Sequence, residues 1–152
     1  MMLGIVAPGV AGPCLAGDVA AVPQVSTLVQ FRSFLVPAQQ TGPVRAQKTG
    51  KRKSNLKAVT VIVEVGAAEA DAVCDNLPRI RDAVLVELFR EPLALDGEMG
   101  GHVDTAGARL LAPMNRALGG TTVRRVYVIN GPENVAEATA AQLPFSRMVG
   151  CR

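Results

Sequence analysis

The sequence has few of the residues from which binding and catalytic sites are usually built. Its 152 residues include no tryptophan, one tyrosine, four phenylalanines and a single histidine. Proteins that bind single-stranded nucleic acid display several aromatic side chains for base stacking, so such a platform is disfavoured. The chain carries no recognisable acid–base pair, nucleophile set or ligand cluster. We therefore predict a non-enzymatic protein that needs no cofactor or metal.

The three cysteines are too scattered to suggest a zinc site. Cys14, Cys74 and Cys151 form no CxxC or CxxH pattern, and their odd number rules out a complete disulfide framework. One bridge between Cys14 and Cys151 is compatible with an exported chain, but three unpaired thiols are the preferred interpretation. Cys74 lies beside Asp71 and Asp75, which disfavour a thiolate, so it is interpreted as a structural residue rather than a nucleophile.

The first 17 residues lack charge altogether and are rich in alanine, glycine and valine. This composition is typical of the apolar part of a secretory signal. Pro8 and Pro13 interrupt the run and disfavour a helix that spans a membrane. Residues 1–24 are interpreted as an export-signal-like segment or a disordered terminus. The first interpretation predicts an exported protein, and a cytoplasmic location stays open.

Positive charge is concentrated in the first part of the chain, and the remainder is mildly acidic. Residues 1–57 carry seven Lys or Arg against one Asp, whereas residues 58–152 carry nine against twelve acids. The candidate polyanion-binding residues are Arg45, Lys48, Lys51, Arg52, Lys53 and Lys57. Clustered cations release counterions when they bind nucleic acid or an anionic membrane surface. Sequence-specific nucleic-acid recognition is disfavoured, and a solvated loop at 38–57 is the preferred interpretation.

Three segments rich in β-branched and aromatic residues predict strands. Residues 25–36 form the first, which Pro37 ends. Residues 57–65 alternate, so the valines at odd positions share one face and the residues between them take the other. Residues 121–130 form the closing strand.

Apolar residues in three- and four-residue steps predict a long helix over residues 70–88. Pro78 lies inside it and removes one backbone donor. Either the helix continues with a kink, or a second helix begins with Pro78 in its first turn and Asn76 near its cap. The unbroken phase of the stripe favours the kinked helix. A further helix is predicted over residues 104–118, with Gly119 as its left-handed stop.

The order of these elements predicts an α+β domain at residues 25–131. Two strands joined by a long loop precede two helices, and a third strand then rejoins the sheet. We expect a two-layer domain in which two helices cover a small, mostly antiparallel sheet. Residues 132–152 are predicted to be a C-terminal tail with at most one short helix.

The only histidine lies in the glycine-rich loop before the second helix. His102 stands between Glu98 and Asp104, an arrangement that suggests a metal or acid–base site. No second imidazole is available to complete a ligand set, so a solvated loop is preferred. The glycines of this loop match no phosphate-binding motif, and Asp104 would repel a phosphate.

Charged residues on two elements are candidates for a protein-binding surface. They are Arg79, Arg81 and Asp82 on the long helix, and Arg124 and Arg125 on the last strand. Their simplest interpretation is solvent-facing charge. They would line one surface if the long helix packed beside the last strand.

About half of the chain, residues 58–130, resembles the periplasmic domain of FliL, a family of flagellar basal body-associated proteins. The resemblance rests on the valine strand at 59–64, the segment PRIRDAVL at 78–85, the leucine-rich stretch at 110–118 and the closing strand at 123–129. Its most specific part is the Ile-Arg-Asp-Ala sequence at 80–83.

The resemblance implies a non-enzymatic protein with an α+β domain of the stomatin-like type. Members of the family associate with the stator units of the flagellar motor at the inner membrane and tend to form rings. The implied partners are therefore proteins, including further copies of the chain. The second hypothesis is a polyanion-binding module that uses the basic run at 45–57.

Overall fold

The part of the chain that the structure describes forms one mixed sheet of five strands, accompanied by four helices. The computed structural model describes residues 26–39, 56–95, 98–142 and 147–151. The elements are β1 (Ser26–Gln30), β2 (Phe34–Pro37), β3 (Leu56–Gly66), α1 (Ala70–Asp75), α2 (Leu77–Arg90), α3 (Asp104–Leu118), β4 (Val123–Asn130), α4 (Glu133–Ala140) and β5 (Met148–Gly150). The predicted α+β class is confirmed. The predicted segment at 1–24 and most of the predicted loop at 38–57 lie outside the described residues.

The central strand is β3, because both of its edges are paired. β4 runs antiparallel along one edge, where Val63 pairs with Val126, and β1 runs antiparallel along the other, where Val63 pairs with Val29. The odd-numbered valines of β3 lie in the main core, and Ile62 lies in a second cluster on the opposite face. The predicted alternation of β3 is confirmed, and the closing strand rejoins the sheet as predicted, where it pairs with β3.

The described part of the strand predicted at 25–36 is two strands separated by a bulge, so the prediction of one strand is wrong. The pairing register with β3 shifts by one residue between β1 and β2. The three residues 31–33 therefore lie opposite only two residues of β3. An extra residue of this kind bends a strand and increases its twist. The side chains of this segment that enter the main core are Val29, Phe31, Phe34 and Val36. Their positions change from odd to even across the bulge, which is its signature in the sequence.

The apolar stripe predicted as one kinked helix is divided into two helices at Asn76. α1 ends just before this residue, and α2 begins just after it with Pro78 in its first turn. The backbone N–H of Asn76 donates to Ala72, and its carbonyl accepts from Ile80. The N–H groups in the first turn of a helix have no hydrogen-bond partner within the helix. Pro78, which lacks an N–H, is therefore accommodated there without losing a hydrogen bond. The alternative stated above is therefore the correct one.

The main core lies between one face of the sheet and the first three helices. α2 packs against β2 and α3, and α3 packs along β4. The largest helical side chains in this core are Ile80, Leu88, Leu110 and Met114. α3 approaches β4 closely at Gly107, where a β-carbon would meet the backbone carbonyl of Val126.

The opposite face of the sheet is covered in part by α4. Ala136 and Ala140 pack there against Leu28, Ile62 and Ile129. The predicted C-terminal tail thus contributes α4 and also β5, which runs parallel to β1. Three residues are too few for a recognisable alternation, which is why the sequence did not predict β5.

A disulfide between Cys74 and Cys151 joins α1 to the end of β5. The prediction of unpaired thiols is wrong for these two residues. The alternative bridge from Cys14 to Cys151 is also wrong, and Cys14 lies outside the described residues. The bonded cysteines are 77 positions apart, so only the packing of β5 beside β1 brings them together.

Candidate partner-binding surface

The outer face of α2 carries two charged and two apolar side chains in helical phase. Arg79, Asp82, Val86 and Phe89 follow one another in steps of three and four, which places them on one face. Val86 is 69% exposed and Phe89 is 54% exposed. Neighbouring exposed apolar side chains indicate a binding surface, whereas single ones are ordinary. We call these four residues the outer stripe.

The opposite side of α2 determines which way the outer stripe points. Ile80, Val84 and Leu88 are completely buried in the main core. With 3.6 residues per turn, burying these positions turns the outer stripe away from the sheet. Arg79 and Asp82 were identified from the sequence, but Val86 and Phe89 were missed. The sequence pattern that could have identified them is that both are apolar but lie outside the buried stripe of α2.

A buried carboxylate holds the end of α2 against α3. Glu87 is 6% exposed, and its Oε1 lies 2.9 Å from Arg90 Nη2 and 3.5 Å from Arg109 Nε. Arg109 Nη1 also lies 3.0 Å from a carboxylate oxygen of Glu91. Carboxylates are rarely buried this deeply without a partner. This network supports the last turn of α2, from which Phe89 projects, and nothing local in the sequence indicates it.

The third helical residue predicted for partner binding, Arg81, lies beside the outer stripe rather than in it. Its guanidinium carbon lies 5.5 Å from the centroid of the Phe34 ring, so it makes a cation–π contact with β2. Arg81 thus faces the β2 side of α2, whereas Glu87 faces α3.

Arg124 and Arg125 are exposed on β4, against which α3 packs rather than α2. The packing that would bring them beside the charged residues of α2 is therefore absent from the described elements. Arg125 Nη1 donates to the Tyr127 hydroxyl at 3.4 Å, and that hydroxyl donates to Glu64 at 3.4 Å. The hydrogen bond to Tyr127, with the attraction of Tyr127 and Glu64, raises the pKa of Arg125 above its ordinary value. The guanidinium therefore stays charged.

Of the basic residues predicted to bind polyanions, Lys57 lies within the described part of the chain. Its Nζ donates to the carbonyl of Leu95 at 2.8 Å, so it helps to hold the segment after α2 against β3. The other five lie outside the described residues and are Arg45, Lys48, Lys51, Arg52 and Lys53. Polyanion binding stays a prediction.

The loop around His102 pairs with the end of β4. The backbone N–H of Asn130 donates to the carbonyl of Gly101 at 3.0 Å, and the His102 ring lies edge-on to Tyr127 with centroids 6.1 Å apart. Backbone pairing of this kind covers the free edge of a strand. Within the four described ranges, no group of three or more ligand side chains is placed to hold a metal ion.

The fold defines the chain as a small α+β domain with a mixed sheet. No protein-family model matches the sequence, and no curated protein or solved structure matches it. Among the helices of the described ranges, none is long and apolar enough to cross a membrane.

Proposed function

We propose that this chain is a non-enzymatic interaction protein whose outer stripe binds a protein partner. The proposal rests on the exposure of Val86 and Phe89, which lie three residues apart on a helix whose other side is buried in the core. Covering the exposed parts of both side chains would contribute roughly 2–3 kcal/mol, which is enough to form the centre of an interface. Arg79 and Asp82 would supply the polar rim.

We infer that the partner is a component of the flagellar motor, by the resemblance to FliL. The resembling residues, 58–130, run from β3 to the end of β4 and include the whole outer stripe. The most specific part of the resemblance, residues 80–83, lies on α2 itself. In this proposal the chain supports motor function by contact with stator units and assembles with further copies of itself.

The disulfide supports a location in the periplasm or at the periplasmic side of the inner membrane. Disulfides persist in oxidising compartments and are rare in the bacterial cytosol. We expect cell fractionation to recover the chain with the membrane or periplasm. In that fraction Cys74 and Cys151 should resist thiol alkylation until a reductant is added, and reactive thiols at both positions would contradict this location.

The test of the proposed function is the double substitution Val86→Ser with Phe89→Ser, made in the source bacterium. We expect swimming in soft agar and co-purification with stator components to fall, because the apolar centre of the surface is lost. Both side chains are largely exposed, so the domain should keep its circular dichroism spectrum and melting temperature.

The matched control is Leu35→Ser, because Leu35 is 62% exposed but lies on β2. This variant should swim and co-purify as the wild type does. Normal motility of the double variant at normal protein abundance would refute the proposal.

A further inference from the structure

An exposed apolar patch lies on β2 and β3, on the face of the sheet opposite the main core. In the pairing register Leu35 lies opposite Ala58, and Pro37 lies opposite Leu56. Successive side chains of a strand point to opposite faces, and Val36 is buried in the main core, so these four share the other face. Leu35 is 62% exposed and Leu56 is 44% exposed, whereas Pro37 and Ala58 are half-buried. We call these four residues the leucine patch.

The leucine patch is one surface that α4 does not cover. Diagonal neighbours on two paired strands are about 7–8 Å apart, which brings the side chains of Leu35 and Leu56 within reach of each other. α4 packs on this face of the sheet around Ile62. Leu56 is at the start of β3, about 20 Å along the strand from Ile62. Exposed apolar residues that adjoin in this way mark a surface for interaction.

The chain supplies strong positive charge at the same end of the sheet. Residues 40–55 join β2 to β3, and they contain five Lys or Arg and no acid. Because the chain leaves at Gln39 and returns at Leu56, these cations are tethered to the end of the sheet that carries the leucine patch. The patch itself contains no charged residue. Whatever covers the patch should therefore combine an apolar layer with negative charge.

We propose that the leucine patch inserts into the surface of an anionic phospholipid bilayer. Leu35 and Leu56 enter the boundary between headgroups and acyl chains, while the tethered cations attract the anionic headgroups. Nucleic acid has the negative charge but would need aromatic side chains for stacking, and the patch has none. An anionic bilayer has both the charge and the apolar layer.

The bound domain would hold the outer stripe away from the bilayer. α2 lies on the main-core side of the sheet and turns the outer stripe outward, whereas the leucine patch is on the other side of the sheet. Partner binding by the outer stripe needs neither leucine, so membrane binding and partner binding can be tested separately.

The test is co-sedimentation of the full chain with phosphatidylcholine vesicles, prepared with and without phosphatidylglycerol. We expect binding to the mixed vesicles that weakens as NaCl is raised, because salt screens the attraction to anionic headgroups. Leu35→Ser with Leu56→Ser should bind them at least about tenfold more weakly, since the apolar area that inserts is lost. The matched control, Val86→Ser with Phe89→Ser, removes two exposed apolar side chains from α2 and should bind as the wild type does.

A tryptophan reporter identifies the surface that enters the bilayer. The chain has no tryptophan, so Leu35→Trp and Val86→Trp each introduce a single indole at an exposed position. Indole rings settle at the membrane interface. The emission of Leu35→Trp should therefore shift to shorter wavelength on mixed vesicles, and that of Val86→Trp should not. The reverse result would overturn the proposal.

Other outcomes would also overturn it. Equal binding to neutral vesicles would exclude a role for charge, and wild-type binding by the double leucine variant would exclude a role for the patch. Binding of a DNA oligonucleotide without binding of vesicles would assign the cations to nucleic acid. A dimer in sedimentation velocity that the double leucine variant cannot form, again without vesicle binding, would assign the patch to a second copy of the chain.

Discussion

The side-chain amide of Asn115 forms two hydrogen bonds with the backbone of Val123. Its Nδ2 donates to the Val123 carbonyl at 2.9 Å, and its Oδ1 accepts from the Val123 N–H at 2.8 Å. This pairing closes the turn between α3 and β4, in which Gly119 has a φ of 74°. The amide occupies the hydrogen-bonding groups of the first residue of β4, and so joins the helix layer to the sheet.

Replacing Asn115 by Ala should lower the free energy of unfolding by roughly 2 kcal/mol, because both backbone groups of Val123 lose their partner. Asn115→Asp keeps the acceptor and loses the donor, so we expect an intermediate loss. Urea denaturation measures both. Asn134→Ala, at an exposed position of α4, is the control. Equal stability of the two alanine variants would contradict the role of the amide.

Gly107→Ala tests the close approach of α3 to β4. Helix propensity alone would favour alanine by about 1 kcal/mol. A β-carbon at Gly107 would, however, meet the backbone carbonyl of Val126, and neither backbone can move without disturbing the core. We therefore expect a loss of stability of about 2 kcal/mol, in line with other overpacked core positions.

The control for this substitution is Ala108→Gly, because Ala108 is exposed on the same helix. It should lose only the difference in propensity, about 1 kcal/mol. Thermal or chemical denaturation gives both values, and a Gly107→Ala variant more stable than the wild type would show that the approach is not close.

Removing the disulfide should destabilise the domain and release β5. The double variant Cys74→Ser with Cys151→Ser is expected to lose about 2–5 kcal/mol, because the bridge restricts a long loop in the unfolded chain. Hydrogen exchange should then accelerate at the backbone amide of position 151, which in the wild type donates to the Gln30 carbonyl.

Denaturation with and without dithiothreitol measures how much the disulfide stabilises the domain. The free energy of unfolding of the wild type and of a Cys14→Ser variant should fall in the reductant, whereas that of the double serine variant should not change. A wild type whose stability is the same under both conditions would rule out the stabilising bridge.

The sequence predicted those helices and strands whose pattern of residues is local. β3 and α3 were predicted to within one or two residues, because alternating valines and a glycine stop are local patterns. The sequence disfavours a division of the helices at Asn76, since the apolar stripe keeps its phase across Pro78. Of the outer stripe, the charged half was identified from the sequence, whereas Val86 and Phe89 were missed although both lie outside the apolar stripe of the helix; their exposure is shown by the docked helix.

The sequence by itself determined the class of fold, the central strand and the buried faces of the helices, because these follow from periodicity within one element. Only the tertiary structure decided the partner of Cys151, the addition of β5 and the hydrogen bond from Gln30 to the carbonyl of Glu133. Each of these joins residues about 80 to 120 positions apart, or a strand too short to have a period. Such contacts depend on how the elements pack together, and no local pattern of side chains encodes that packing.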